Sequence, residues 1–128
     1  MAWNRAGAAA AITSVLQAAM GETVFVYAKP PGTVNPPAVI VGRPASVRYS
    51  TVAFTIDEAT LPVSCCGPAD GDDTVDALVT AVRHALVADQ TLGGAVQACW
   101  PADERAWRQA SIAGVDVLLA DVNLTVQM

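Results

Sequence analysis

Lysine, histidine, cysteine and aromatic residues are all scarce in this chain of 128 residues, and each shortage removes a class of function. The only lysine is Lys29, and seven basic residues face twelve acidic ones, for a net charge of −5. Tight sequence-tolerant binding to duplex DNA draws on clustered Lys and Arg that displace counterions, whereas these arginines are scattered. His84 is the one histidine, and with Cys65, Cys66 and Cys99 it makes too few soft ligands for a zinc site. Adjacent cysteines bridge each other only through a strained ring, and the count is odd, so the thiols read as reduced and buried. A Cys/His nucleophile pair is the one catalytic arrangement these residues leave open, because G-x-S-x-G, Walker A and G-x-G-x-x-G are all absent. No pattern asks for a cofactor.

Long hydrophobic runs are missing too. The hydrophobic fraction is 53% and the mean hydropathy +0.40, but 25 alanines and 18 valines supply much of both. The greasiest stretch, residues 6–20, is mostly alanine and is interrupted by Thr13, Ser14 and Gln17, short of the roughly 20 strongly apolar residues a membrane span needs. With Arg5 as a thin basic flank it has the outline of a signal peptide. The preferred reading is a helix capped by Asn4 and stopped by Gly21, with Ile12, Val15, Leu16 and Ala19 on one face.

What the chain does have is a strong central helix. Val75, Leu78, Val79, Val82 and Leu86 fall at i, i+3, i+4, i+7 and i+11 and draw one apolar stripe. Asp72 or Asp73 is expected to accept a hydrogen bond from a first-turn N–H, and Asp76 adds charge where the helix dipole is positive. Gly93 and Gly94 suit φ > 0 at the exit, with Leu92 tucked under the turn. The run Asp70, Asp72, Asp73 reads as a solvated helix start or, more weakly, as a lumen-facing or partner-facing surface. A calcium loop would need spaced ligands and a terminal bidentate glutamate that are not there.

Strands surround this helix. Residues 23–28 (TVFVYA) are β-branched and aromatic, and 38–42 (AVIVG) form a continuous apolar run suited to a strand with both faces covered. Between them 29–37 (KPPGTVNPP) holds four of the eight prolines, an extended loop that either connects two strands or reaches a neighbouring subunit. Residues 47–56 partly alternate, and 59–66 alternate with Leu61, Val63 and Cys65 inward, Pro62 pushing that strand towards an edge or towards a start one residue later. Residues 95–100 are ended by Pro101. In 107–128, Val115, Val117 and Leu119 point one way while Val122, Leu124 and Val126 have changed phase, which predicts a bulge or break near Ala120 and Asp121. The terminal strand would leave an uncovered edge. Trp3, Trp100 and Trp107 serve either core packing or, where exposed, an interface. The sum is one α+β domain over residues 1–128, a mostly antiparallel or mixed sheet packed by an N-terminal helix and the central amphipathic helix.

In order, these are a helix, a strand, a proline-rich loop, NPPAVIVGRP, a stretch ending in LPVSC, the acid-started helix with DALVTAVRHAL, the LGG turn and a G-V-D-V strand. That order resembles the tail terminator proteins of long-tailed bacteriophages, in the variant typical of phages infecting actinobacteria. The resemblance covers most of the chain. It implies a structural virion protein and no enzyme: a homohexameric ring that caps the head-proximal end of the tail tube, stops tube growth and meets the neck proteins of the head. Partners would be further copies of itself, the tube protein and the head-completion proteins, with DNA passing through unbound, no membrane involved, and assembly in the host cytoplasm before residence in the virion. Expected subunit or tube contacts are Lys29, Pro30, Pro31, Thr33, Val34 and Asn35 of the loop and Thr125, Val126, Gln127 and Met128 of the strand edge; Asp70, Asp72 and Asp73 are the weaker choice for channel or partner. The competing readings are a neck connector and a small cytoplasmic ligand-binding or thiol-dependent domain.

Overall fold

The computed structural model describes residues 5–28, 36–43, 46–49, 57–96, 98–112 and 114–127. Two helices, α1 (Arg5–Met20) and α2 (Asp72–Ala88), pack on one face of a seven-stranded mixed sheet. Its strands are β1 (Phe25–Tyr27), β2 (Ala38–Val41), β3 (Ser46–Tyr49), β4 (Asp57–Pro68), β5 (Ala98–Glu104), β6 (Arg108–Ile112) and β7 (Val115–Gln127). The expected α+β architecture is what forms, with all pairings antiparallel except β1 on β2.

The sheet is built on β4 and β7, which pair without interruption from Glu58↔Gln127 to Pro68↔Val117. On its other side β4 carries two short strands in succession, β2 opposite residues 63–66 and β3 opposite 57–60. β7 does the same, with β5 opposite 122–127 and β6 opposite 115–119. The two changes of partner lie next to each other, at Pro62 on β4 and at Ala120 and Asp121 on β7. They are staggered along the ladder, so a third strand is present at each: β5 beside β7 opposite Pro62, and β2 beside β4 opposite Ala120 and Asp121.

Three sequence expectations are corrected here. Pro62 lies in an interior strand, not at an edge. A strand residue's N–H and C=O point the same way, and the Pro62 carbonyl accepts the Gly42 N–H at 2.8 Å, so its missing donor faces the gap where β2 gives way to β3. No bulge interrupts β7. The change of phase arises because both faces of this strand are covered: Leu118, Ala120, Val122, Leu124 and Val126 join the helix-side core, while Val117 and Leu119 join Ala38, Ile40 and Cys66 on the opposite face. The irregularity sits instead in β5, between Pro101 and Asp103, and β5 runs through Pro101 to Glu104. Thr125, Val126 and Gln127 do not form a bare edge. Each is paired to β4 on one side and β5 on the other.

The helix expectations hold in their packing and fail in their cap. Val75, Leu78, Val79, Val82 and Leu86 are the buried residues of α2, each contributing about 1.5–3 kcal/mol by burial. Neither Asp72 nor Asp73 caps the helix; the N-cap is Gly71, whose carbonyl accepts the Val75 N–H at 3.0 Å with no side-chain cap bond. At the other end Leu92, Gly93 and Gly94 all take positive φ. Leu92 is held in that unfavourable region with its side chain buried, and Asp89 Oδ1 accepts the Gly93 N–H at 3.1 Å. On α1, Ala8, Ile12 and Leu16 are buried, Val15 is half-buried and Ala19 is exposed, so the apolar face turns towards Ala8. Asn4, Trp3 and the stretch 50–56 lie outside the described residues.

Gly42 is the tightest point of the partner change. A Cβ there would stand 2.8 Å from both Cγ and the carbonyl oxygen of Pro62, and one of these is backbone that cannot give way. Gly42→Ala is therefore expected to lower stability by about 1–3 kcal/mol in urea denaturation, as overpacking does, while Gly93→Ala acts through its positive φ and not through any clash.

Candidate functional site

The face of the sheet opposite the helices carries the one buried carboxylate among the described residues. Asp121 stands on β7 where its neighbour changes from β5 to β6, and it is 6% exposed. Ser64 Oγ on β4 donates to Oδ1 at 2.8 Å, and Arg108 Nη1 at the start of β6 donates to Oδ2 at 3.0 Å. Arg105, in the loop between β5 and β6, approaches Oδ2 at 3.9 Å and its backbone N–H donates to the Asp121 carbonyl at 2.9 Å. One side chain thus ties β4, β6, β7 and the β5–β6 loop together. Its partners are unequal, since the Arg108 side chain is 36% exposed and that of Arg105 is 63% exposed. Around it run further polar pairs: Asn123 to Asp103, the Trp107 indole N–H to Glu104 at 3.1 Å, and Gln127 to Glu58.

Sequence reading passed over this cluster, taking Asp121 as the mark of a break. The available signal was a lone acid inside the apolar run VLLADVNL with two arginines 13 and 16 residues upstream.

The residues singled out from the sequence are scattered. Asp70, Asp72 and Asp73 are all exposed, in the turn before α2 and its first turn, and form one acidic corner. Lys29, Pro30, Pro31, Thr33, Val34, Asn35 and Met128 lie outside the described residues. Val126 is fully buried, and Thr125 and Gln127 are half-buried. Trp107 is 37% exposed, one of four exposed large hydrophobics among the described residues with Phe25, Val87 and Val115, whereas Trp100 is half-buried opposite Thr125.

The thiols are packing groups. Cys65 and Cys99 lie in the helix-side core and Cys66 in the cluster on the other face. Burial, with the negative charge of Asp121 and Glu104 adding to it, pushes Cys65 up to about 12; burial alone does the same for Cys99 and raises Cys66. A nucleophilic thiolate needs the opposite shift. His84 is exposed on α2. Among the described residues no three His, Cys, Asp or Glu side chains gather as a metal site, and no helix is long and apolar enough to cross a membrane. Among the described residues a shallow groove of about 530 Å³ between α1 and α2 is lined by Met20, Val24, Pro37, Ala77, Leu78 and Ala81. It brings no set of reactive groups together.

The described surface offers edges, charges and apolar spots suited to assembly. Comparison with known proteins agrees in kind. A family model described as "Tail completion protein gp17" matches residues 4–119. In fold, the chain is similar to a chain of the virion of a native gene transfer agent (GTA) particle, with a TM-score of 0.65 and 21% identity over 99% of this chain and 100% of that one. No curated protein sequence matches.

Arg108→Met is expected to cost about 1–3 kcal/mol in urea denaturation, because Asp121 loses its closest charged donor while staying buried; Arg105→Met should cost less than about 1 kcal/mol, as an exposed pair does. The thiols add a pH dependence. Unfolded cysteines shed protons near their ordinary value of 9.0, whereas folded Cys65 and Cys99 hold theirs to about 12. Their contribution is fully present below about pH 9 and is lost as pH rises towards 12. The urea midpoint should fall more steeply over that window in the wild type than in the Cys65→Ala, Cys99→Ala double variant.

Proposed function

From a chain that belongs to the tail completion protein gp17 family, we propose a structural virion protein that forms a hexameric ring on the head-proximal end of a phage tail tube. It halts tube growth there and presents its other face to the neck of the head. The observation that carries this reading is the family match over residues 4–119, and the fold shared end to end with a chain of a phage-like particle supports it. The long-tailed phages of actinobacteria are the setting that the order of motifs favours. No chemistry is asked of the protein.

The physical properties suit the task. A closed ring uses heterologous contacts, so each copy needs two different complementary flanks, and a sheet with different strands on its two sides supplies them. Six copies at −5 each bring −30 to the ring. An acidic lumen repels the DNA backbone weakly and evenly, which favours passage over binding. The acidic corner at Asp70, Asp72 and Asp73 is the proposed channel or partner surface, and the proline-rich loop with Lys29, Pro30, Pro31, Thr33, Val34 and Asn35 the proposed tube or subunit contact. For Thr125, Val126 and Gln127 the ground for an interface role was a bare strand edge, and their double pairing removes it.

Native mass spectrometry of the purified protein, alone and with polymerised tail-tube protein, tests the proposal. A hexamer, or a monomer that becomes a sixfold cap on tube ends, is the expected result. A chain that ignores tubes but binds a portal or head protein would make it a neck connector; a stable monomer or dimer indifferent to both would overturn a virion role.

A further inference from the structure

The two strands that share one side of β7 are finished differently. The outer edge of β5 is closed: the Cys99 N–H donates to the Gln90 carbonyl at 2.7 Å, Pro101 has no N–H on that same side, and a register shift follows. β6 has no such protection. Ile112 and Val115 pair across a tight turn, so Ile112, Ala110 and Arg108 exchange backbone bonds with β7, and the N–H and C=O groups of Gln109 and Ser111 point away from the sheet. Among the described residues no hydrogen bond reaches those outward groups, and both side chains are exposed.

β1 is the opposite edge of the same half of the sheet, which runs β1-β2-β4-β7-β6. The Phe25 N–H donates to the Pro37 carbonyl at 3.4 Å, so Phe25 and Tyr27 bond to β2 and the backbone groups of Val26 point outward. These two edges match in three respects. In direction, β1 is parallel to β2 and every later pairing is antiparallel, so β6 of one copy meets β1 of the next as an antiparallel pair. In face, Val26 pairs with Val39 of the helix-side core and Gln109 with Leu118 of the same core, and Ser111 shares the parity of Gln109, so the outward-bonding residues of both edges lie on one face. In side chains, setting Val26 opposite Ser111 brings Phe25 opposite Ile112 and Tyr27 opposite Ala110. Phe25 is 53% exposed, and Val115, beside Ile112, is 42% exposed. Two of the exposed large hydrophobics therefore stand at these two edges, on the face opposite the helices.

We propose that β6 of one copy pairs with β1 of the next, so that the sheet continues from subunit to subunit. The contact is head to tail, with a different edge used on each side, as a closing ring demands. This inference rests on the reading of the chain as a ring-forming protein and names the contact that would close it.

Ser111→Pro removes an outward N–H and leaves the β6–β7 ladder intact, because that N–H is not used by β7. The variant is expected to keep the wild-type circular dichroism and thermal midpoint while its sixfold assembly, with or without tail tubes, drops by about tenfold or more in native mass spectra. A second variant does not depend on that substitution being tolerated. Phe25→Cys combined with Ile112→Cys, oxidised after assembly, should give intersubunit disulfide ladders on a denaturing gel, the native thiols being buried. Folded Ser111→Pro that assembles like the wild type, or assembled double-cysteine rings that do not cross-link, would overturn the edge pairing and leave the ring standing. A wild type that forms no ring, alone or on tubes, would overturn the ring reading and this contact with it.

Discussion

Everything in this molecule hangs on the antiparallel ladder between β4 and β7. Eleven consecutive residue pairs hold two long strands in one register, and a shift of a single residue would move Leu61, Val63, Cys65, Ala120, Val122 and Leu124 off the helix-side core. Short strands flank it on both sides, and α2 follows β4 directly to lie on the same face. The stripe from Val75 to Leu86 is buried because that face is already apolar. Burial alone does not specify the arrangement. The apolar residues of β7 appear on both faces, so register is also held by polar pairs on the far side, Ser64 with Asp121 and Gln127 with Glu58.

How much of this could be read from the residues depended on how local the cause was. The stripe of α2, the LGG turn, the run 38–41 and the inward set Leu61, Val63, Cys65 were legible because each follows from spacing within one element. Pro62 was misjudged because the consequence of its missing N–H depends on what stands beside it, here a gap between two other strands. The phase change in β7 was taken for a bulge because alternation reads as one buried face, whereas a strand covered on both sides can hold apolar residues at odd and even positions alike. Helix capping failed for a related reason: a glycine preceding two aspartates took the cap position that composition assigned to them. The site fared worst. Asp121, Arg105, Arg108 and Ser64 are brought together only by the fold, and no spacing rule joins residue 64 to residue 121.

Charge and edges divide the labour of the surface. Acidity is spread thinly and gathers at the turn before α2; a net charge of one sign favours solubility in general and repels a polyanion. Two of the seven basic residues are committed to one buried carboxylate, which leaves few to attract DNA. The strand edges are treated selectively, β5 closed by a turn and a proline while β6 is left open. An edge left bare in a protein that must not aggregate is a risk unless its use is intended.

The stagger between the two partner changes, at Pro62 and at Asp121, has a mechanical consequence. Two-stranded ribbons twist more readily than wide sheets, and the offset leaves no level where the long strands stand alone, so no weak line forms at the step between the halves. Splints bridge it on both faces. α2 runs back along β4, its Val75 near Gly67 at one end and its Arg83 beside Pro101 and Glu104 at the other, and the Asp121 cluster clamps the opposite side. The domain is therefore built as one continuous plate, so a load taken up at one flank is passed through the long strands to the other instead of being lost in a hinge between them.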